Sequence, residues 1–292
     1  MSGFARLHPI SIFLFYIMVI IGTVICTNPV ISIISFMAAI IYRIVLKKAM
    51  VIKEILLYLG IVVITALFNM ILSHNGQTVL FYLNDNRVTL EAAVYGFSSG
   101  IMIASVMAWC RSLSQDFTED KILYLIGNIS SDIALILSMV MRFIPLYKRQ
   151  SVKVSEAYGV INDNENENIA DRLKNKLRVY DSVLGFAIEN SIDTADSMKA
   201  RGYGCGKRTM FHRFSVNKTD IVYIVLIAVE LFIYIFSIKN STASYSFYPV
   251  IDKINMERNY LIFYVSFAVM SAIPLIEEIK WRIKWKYLTS AI

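Results

Sequence analysis

The sequence predicts an all-α, polytopic membrane protein with five or six transmembrane helices and two long cytoplasmic helices. Apolar residues make up 57% of its 292 residues, charged residues make up 17%, and the mean hydropathy is +0.57. A single soluble core cannot bury that much apolar side chain. A bilayer core about 30 Å thick requires about 20 apolar residues per helix, and several stretches of the chain reach that length.

Four apolar stretches in residues 1–110 predict the first four spans. We expect the first over residues 9–26, because this stretch is too long for the apolar part of a signal peptide and has no small-x-small cleavage site. Thr27-Asn28-Pro29 then predicts a turn, since proline disfavours helical geometry in the residue before it. The other three spans are predicted over residues 30–46, 52–72 and 91–110.

A polar loop with turns is predicted over residues 74–90, before the fourth span. Thr89 is expected to cap that helix, and Glu91 to lie in its first turn, where the helix dipole favours a carboxylate. The Glu-Ala-Ala run from Glu91 is similar to the coupling loop of ordinary ABC importer permeases. However, its glycine, Gly96, comes one residue early and no Leu-Pro follows. We interpret the run as the N-terminal turn of a helix.

Residues 111–218 are predicted to be cytoplasmic, and residues 219–292 to return to the membrane. The cytoplasmic region holds 16 of the 29 lysine and arginine residues. Apolar stretches at 221–238 and 260–276 predict two more spans, and a basic tail with interfacial aromatic residues follows. With six spans and both termini inside, 25 of the 29 cations lie on the cytoplasmic side, as the positive-inside rule requires.

Two helices are predicted in the cytoplasmic region. The most apolar part of this region, residues 122–145, is interrupted by polar residues. We expect it to be a helix that lies partly in the membrane interface or against other helices. A helix over residues 169–198 has apolar residues spaced by threes and fours, so one of its faces needs an apolar surface. We expect that surface to be the preceding helix, at about residues 132–158. The predicted face consists of Ile169, Leu173, Leu177, Tyr180, Leu184, Ala187, Ser191, Ala195 and Met198.

Both cytoplasmic helices are predicted to end at a glycine, Gly159 in the first and Gly202 in the second. Glycine accepts the left-handed geometry that stops a helix, and the helix dipole favours a cation in the last turn. Arg201 therefore has two interpretations. It is either a favourable C-terminal residue and nothing more, or it projects into an acidic or carbonyl-lined groove of a partner protein.

The Ala-Arg-Gly-Tyr-Gly-x-Gly-Lys-Arg-Thr run at 200–209 resembles the transmembrane T component of energy-coupling factor (ECF) transporters. So do Met-Arg-Phe-Ile-Pro at 141–145 and Thr-Leu-Glu-Ala at 89–92. That family includes the cobalt-uptake permease component, and the resemblance covers residues 8–220. It implies a scaffold in a bacterial or archaeal cell membrane. Such a scaffold couples two cytosolic ABC-type ATPase subunits to a substrate-binding membrane S subunit that takes up a vitamin or metal ion.

The resemblance also implies residue roles. Two coupling helices cross, and each ends in an Ala-Arg-Gly motif whose arginine enters a groove of one ATPase. Ala200, Arg201 and Gly202 match the second motif. Ala157 and Gly159 match the first, but Tyr158 stands where arginine is expected. The residues that we predict to pack the coupling helices together are Arg142, Pro145, Leu173, Leu177, Leu184, Ile188 and Ala195.

No cofactor, metal or nucleic-acid site is predicted. The three cysteines are scattered, without the spacing of a zinc site or a disulfide framework. Residues 162–168 alternate asparagine with acids but lack the glycine and the final carboxylate of a calcium loop. The glycines around Cys205 lack the spacing of a P-loop. The cations alternate with acids and have no aromatic platform on which nucleic-acid bases stack.

Two rival functions remain open from the sequence. An intramembrane enzyme would have to use Asp132 with Arg142, or Glu230, because ionisable groups at membrane depth are costly and often functional. No metalloprotease motif, paired aspartate or Ser/Lys dyad accompanies them, so we predict a non-catalytic subunit. A membrane sensor or assembly protein whose cytoplasmic helices hold a non-ATPase partner predicts the same topology.

Overall fold

The computed structural model describes residues 3–46, 51–73, 75–83, 86–161, 169–206, 214–240, 242–253 and 255–290. These residues are mostly helical, as predicted, and form nine α-helices, one short 3-10 helix and one two-stranded sheet. The helices are α1 Pro9–Ile25, α2 Pro29–Leu46, α3 Val51–Leu72, α4 Leu90–Asp116, α5 Glu119–Ile129, α6 Ser131–Ile161, α7 Ile169–Ala200, α8 Lys218–Lys239 and α9 Arg258–Ser290. The strands are β1 Val79–Leu83 and β2 Asn86–Thr89.

The helices α2, α3, α4, α8 and α9 are each long and apolar enough to cross a membrane. Helix α1 is also apolar but has only 17 residues. The outer faces of these helices are apolar and uncovered, as in α3, where Leu56 is 74% exposed and Phe68 is 63% exposed. Soluble proteins rarely expose apolar surface of that extent. The chain is therefore a helical, multi-pass membrane protein.

The predicted turn between α1 and α2 is confirmed. The Asn28 side-chain oxygen accepts a hydrogen bond from the Val30 amide at 3.1 Å, and its Nδ2 donates to the Tyr264 hydroxyl at 2.6 Å. The predicted cap of α4 is also present, since the Thr89 hydroxyl accepts from the Ala92 amide at 3.4 Å. Local capping chemistry thus sets where α2 and α4 begin.

The predicted loop at 74–90 contains an antiparallel hairpin instead of turns alone. Strands β1 and β2 pair from Val79 opposite Thr89 to Leu83 opposite Asn86. The Val-Leu-Phe-Tyr-Leu run of β1 favours extended structure, because β-branched and aromatic side chains suit a strand. The buried Glu91 carboxylate accepts from the Gln77 and Thr78 amides and so holds the start of the hairpin against α4.

Two compact units divide the chain: Met1–Thr118 with Phe214–Ile292, and Glu119–Arg213. We call the first the membrane unit and the second the helical-pair unit, after its two long helices, α6 and α7. The core of the membrane unit surrounds Trp109, Tyr16 and Tyr42, all fully buried. The Tyr16 and Tyr42 hydroxyls each donate to the buried Asp116 carboxylate at 2.6 Å. This carboxylate therefore ties α1 and α2 to the end of α4.

Helices α3 and α4 approach closely through a Gly-x-x-x-Gly motif in α4. A Cβ atom at Gly96 would lie 2.9 Å from the Ala66 Cα atom, and one at Gly100 would lie 2.9 Å from the Val62 Cα atom. Only hydrogen at these two positions leaves room for the α3 backbone. Small residues spaced by four are typical of helix contacts in membranes, where close backbone packing replaces the hydrophobic effect.

Three predicted boundaries are wrong. Ser130 divides the stretch at 122–145 into α5 and α6, and its hydroxyl lies 3.5 Å from the Ile133 amide, as at a helix N-cap. Helix α6 continues through Gly159 to Ile161, because the glycine, although able to stop a helix, remains helical here. Helix α9 continues through the basic tail to Ser290.

Candidate functional site

The C-terminus of α7 has the geometry of a Schellman motif. Gly202 adopts a left-handed φ of +84°, as predicted for a residue that stops the helix. Its amide donates to the Lys199 carbonyl at 2.9 Å, and the Tyr203 amide donates to the Met198 carbonyl at 3.0 Å. Two of the last carbonyls of α7 are thereby satisfied by the backbone alone. The end of α7 is fixed without any contribution from the Arg201 side chain.

Arg201 lies at the point where α7 ends, and it is exposed, as are Ala200 and Gly202 on either side of it. Its backbone amide still donates to the Ser197 carbonyl at 3.1 Å, so the residue keeps the helical direction. Tyr203 is 46% exposed beside it. The guanidinium thus lies exposed at a helix end that backbone hydrogen bonds fix, where a carboxylate or a row of carbonyl oxygens can bind it. Lys207 and Arg208 of the same run lie outside the described residues.

The counterpart in α6 is not a second helix end, which corrects the prediction that both helices finish alike. Ala157, Tyr158 and Gly159 are all helical. Tyr158 is half-buried against α7, with its hydroxyl 3.5 Å from the Ser182 Oγ atom. The two predicted docking positions therefore differ in chemistry and in backbone geometry.

Helices α6 and α7 pack together, as predicted. The Tyr147 ring meets Phe186 edge to face at 6.2 Å, and the Tyr147 hydroxyl donates to the Ala187 carbonyl at 3.5 Å. The half-buried residues of α7 are Asn175, Val179, Val183, Phe186, Ala187, Asn190, Thr194 and Met198. This contact face thus contains polar as well as apolar side chains.

The predicted contact face of α7 is largely wrong, because most of its apolar residues lie beside the face that meets α6. Leu173 and Leu177 are each 60% exposed, and Ile188 is 55% exposed. These residues form an uncovered apolar stripe along α7, which we call the α7 stripe: Leu173, Leu177, Leu184, Ile188 and Ile192. Tyr147 of α6 packs against Phe186 and Ala187, on the face of α7 next to the α7 stripe. The α7 stripe itself stays exposed.

The other residues predicted to pack the coupling helices are Arg142 and Pro145 of α6 and Ala195 of α7. Arg142 and Pro145 are exposed, and Pro145 is accommodated inside α6 without ending it. Ala195 lines a small cavity with Met139 and Phe143 of α6 and Met198 of α7. Ala195 therefore borders a cavity between the two helices, although the residue itself is exposed.

The residues considered for an intramembrane enzyme are not brought together. Asp132 and Arg142 lie ten positions apart on α6, which corresponds to about 15 Å along a helix axis. Glu230 is buried in α8, where the Ser266 hydroxyl donates to its Oε1 atom at 3.4 Å. Among the described residues, no three histidine, cysteine, aspartate or glutamate side chains cluster as metal ligands.

Sequence reasoning missed a polar cluster at one end of the membrane unit. The Arg43 guanidinium, only 3% exposed, donates to both Glu54 carboxylate oxygens and to the Gln115 side-chain oxygen at 2.8 Å. Arg111 lies 3.6 Å from the same carboxylate. The cluster joins α2, α3 and α4. The spacing of its members along the chain gives no sign that they meet.

No family model matches the chain, and no curated protein matches it.

Proposed function

We propose that this chain is the transmembrane scaffold subunit of an ECF-type ABC importer. It holds two cytosolic ATPase subunits through the helical-pair unit and transmits their movement to a substrate-binding membrane subunit. The substrate is a vitamin or a metal ion bound by that other subunit. The chain itself performs no catalysis and binds no nucleotide.

The observation that carries the proposal is the end of α7. A backbone motif alone stops the helix at Gly202, so the exposed Arg201 side chain is not needed to satisfy the helix carbonyls. A helix whose end is fixed by backbone hydrogen bonds suits insertion into a partner groove, because the backbone loses little freedom on binding and the guanidinium presents five donors to the groove. Together with the resemblance of residues 200–209, this favours an ATPase groove as the place where Arg201 binds.

The α7 stripe supports the same proposal. Apolar side chains at this exposure on a cytoplasmic helix mark a surface that another protein or the membrane covers. In the proposed mechanism, ATP binding brings the two ATPases together, and their grooves carry the helix ends with them. The helical-pair unit then passes the displacement to the substrate-binding subunit through its apolar surface.

Arg201→Glu tests the docking role. We expect the variant to lose one ATPase from the purified complex and to lose ATP-dependent uptake, because a carboxylate repels an acidic or carbonyl-lined groove. The measurement is ATPase stoichiometry by quantitative gel analysis of the gently solubilised complex. Arg178→Glu is the matched control, since Arg178 is an exposed cation elsewhere on α7. Full ATPase binding by Arg201→Glu would remove Arg201 from the docking role.

The alternative is a membrane sensor or assembly protein that holds a different partner through the same helices. The same purification separates the two proposals. A complex that contains a non-ATPase protein and no ATPase would favour this alternative.

A further inference from the structure

Helix α9 is longer than a membrane span. It contains 33 residues and is therefore about 50 Å long, whereas the apolar core of a bilayer is about 30 Å thick. Its apolar stretch ends at Ile276, so residues 277–290 extend beyond the apolar core into the headgroup region. We call residues 277–290 the α9 end. Trp281 and Trp285 stack there with ring centroids 5.7 Å apart, and tryptophan is typical of membrane–water interfaces.

The two acids of the α9 end are bound within the membrane unit. Glu278 is buried and accepts a hydrogen bond from the Arg282 guanidinium at 3.0 Å. Glu277, whose side chain is 17% exposed, accepts from the Tyr223 hydroxyl of α8 and from the Lys280 ammonium at 3.2 Å. Each carboxylate thus has a cation of its own and faces protein groups.

Two further cations of the α9 end are not balanced in this way. Lys284 and Lys286 are exposed, and neither has a carboxylate partner among the residues that the structure describes. Side chains of a helix point back toward its N-terminus, which for α9 is the direction of the membrane. Both ammonium groups can therefore reach the level of lipid phosphates, where an unbalanced cation attracts an anionic lipid.

An apolar stripe runs along α9 between these cations. Ile279 is 42% exposed and Ile283 is 52% exposed. At 100° per residue, Lys284 lies on one side of the stripe and Lys286 on the other. A helix with cations beside an exposed apolar stripe suits the boundary between acyl chains and anionic headgroups. We call this surface the α9 stripe: Ile276, Ile279, Ile283 and Tyr287.

We propose that the α9 end is a binding site for anionic phospholipids, with Lys284 and Lys286 binding the headgroup phosphates and the α9 stripe contacting the acyl chains. A soluble anion would use the two lysines and leave the stripe uncovered, whereas a phospholipid covers both. The stripe also continues the apolar surface of α9 itself, which is long and apolar enough to cross a membrane. The inference does not depend on the proposed function, because it requires only that α9 spans a bilayer.

Quenching by brominated lipids tests the proposal on the full chain in vesicles. Ile283→Trp puts the probe on the α9 stripe, and its signal is the difference from the unaltered chain. The vesicles contain equal amounts of phosphatidylglycerol and phosphatidylcholine, with bromine near the glycerol end of an acyl chain of one lipid or the other. We expect phosphatidylglycerol to be preferred at least fivefold, because each lysine near an anionic membrane surface strengthens binding by about that factor.

Two double variants in the Ile283→Trp chain locate the preference. Lys284→Gln with Lys286→Gln removes the two cations of the site. Lys253→Gln with Arg258→Gln is the matched control, because these exposed cations lie at or just before the start of α9, at its opposite end. We expect the first variant to bind both lipids equally and the control to keep the preference. No preference in the starting chain, or the same preference in both variants, would overturn the proposal.

The same experiment separates a lipid from other occupants. We expect quenching by both lipids to persist when Lys284 and Lys286 are replaced, because the α9 stripe still faces the bilayer. Absence of quenching by either lipid in the starting chain would mean that protein covers the stripe, which would overturn the proposal. Loss of the preference on addition of free glycerophosphate, at a concentration equal to that of the lipid, would identify a site for soluble phosphate instead.

Discussion

Arg201 and Arg43 carry the same charge in opposite environments, and this difference decides what each can do. Arg201 is exposed at a helix end that the backbone already caps. Arg43 is buried, and its guanidinium is bound by the Glu54 carboxylate and the Gln115 side chain. An exposed guanidinium is available to a partner, whereas a buried and paired one holds helices together.

The Arg43 pair makes a prediction about stability. Arg43→Met leaves the Glu54 carboxylate, which is 18% exposed, without its closest cation, and we expect it to cost about 3 kcal/mol. Arg111→Met removes a cation that is 63% exposed and 3.6 Å away, and it should cost less than about 1 kcal/mol. Thermal unfolding of the detergent-solubilised variants measures the difference. Equal losses would mean that Arg43 does not hold the cluster.

At the scale of elements, the contact between α3 and α4 depends on two glycines. Gly100→Ala puts a methyl group 2.9 Å from the Val62 Cα atom, so the helices must separate. We expect a loss of about 1–3 kcal/mol, as for other overpacked contacts. Gly60→Ala in α3 is the control, because a Cβ atom there meets nothing within 4 Å and alanine favours the helix. A stable Gly100→Ala protein would contradict this close packing.

The positions of helices were predicted correctly where hydropathy or capping determines them. The predictions were wrong where a contact between two helices determines the position. The apolar stretches located the six apolar helices, and Pro29 and Thr89 marked two helix starts. Glycine at 159 did not mark a helix end, because its local preference allows a stop but does not require one. The contact face of α7 was missed because the periodicity of apolar residues cannot show that Tyr147 of α6 packs beside Phe186.

At the scale of the whole molecule, only part of the candidate site could be predicted from the sequence. The motif at Arg201 is local, and its helix-ending glycine was predictable. The place of Tyr158 was not, because this residue is half-buried against α7, with its hydroxyl 3.5 Å from the Ser182 Oγ atom. A site formed by two helices requires the pairing register, which a single sequence does not give.

The scaffold that we propose holds two ATPases and a second membrane protein. Native mass spectrometry of the complex, purified from its own cells through a tag on this chain and gently solubilised, tests it most directly. We expect one copy of this chain, two ATPase subunits and one further membrane subunit, with ATP hydrolysis in the same fraction. A complex without ATPase subunits, from a preparation in which the chain remains folded, would contradict it.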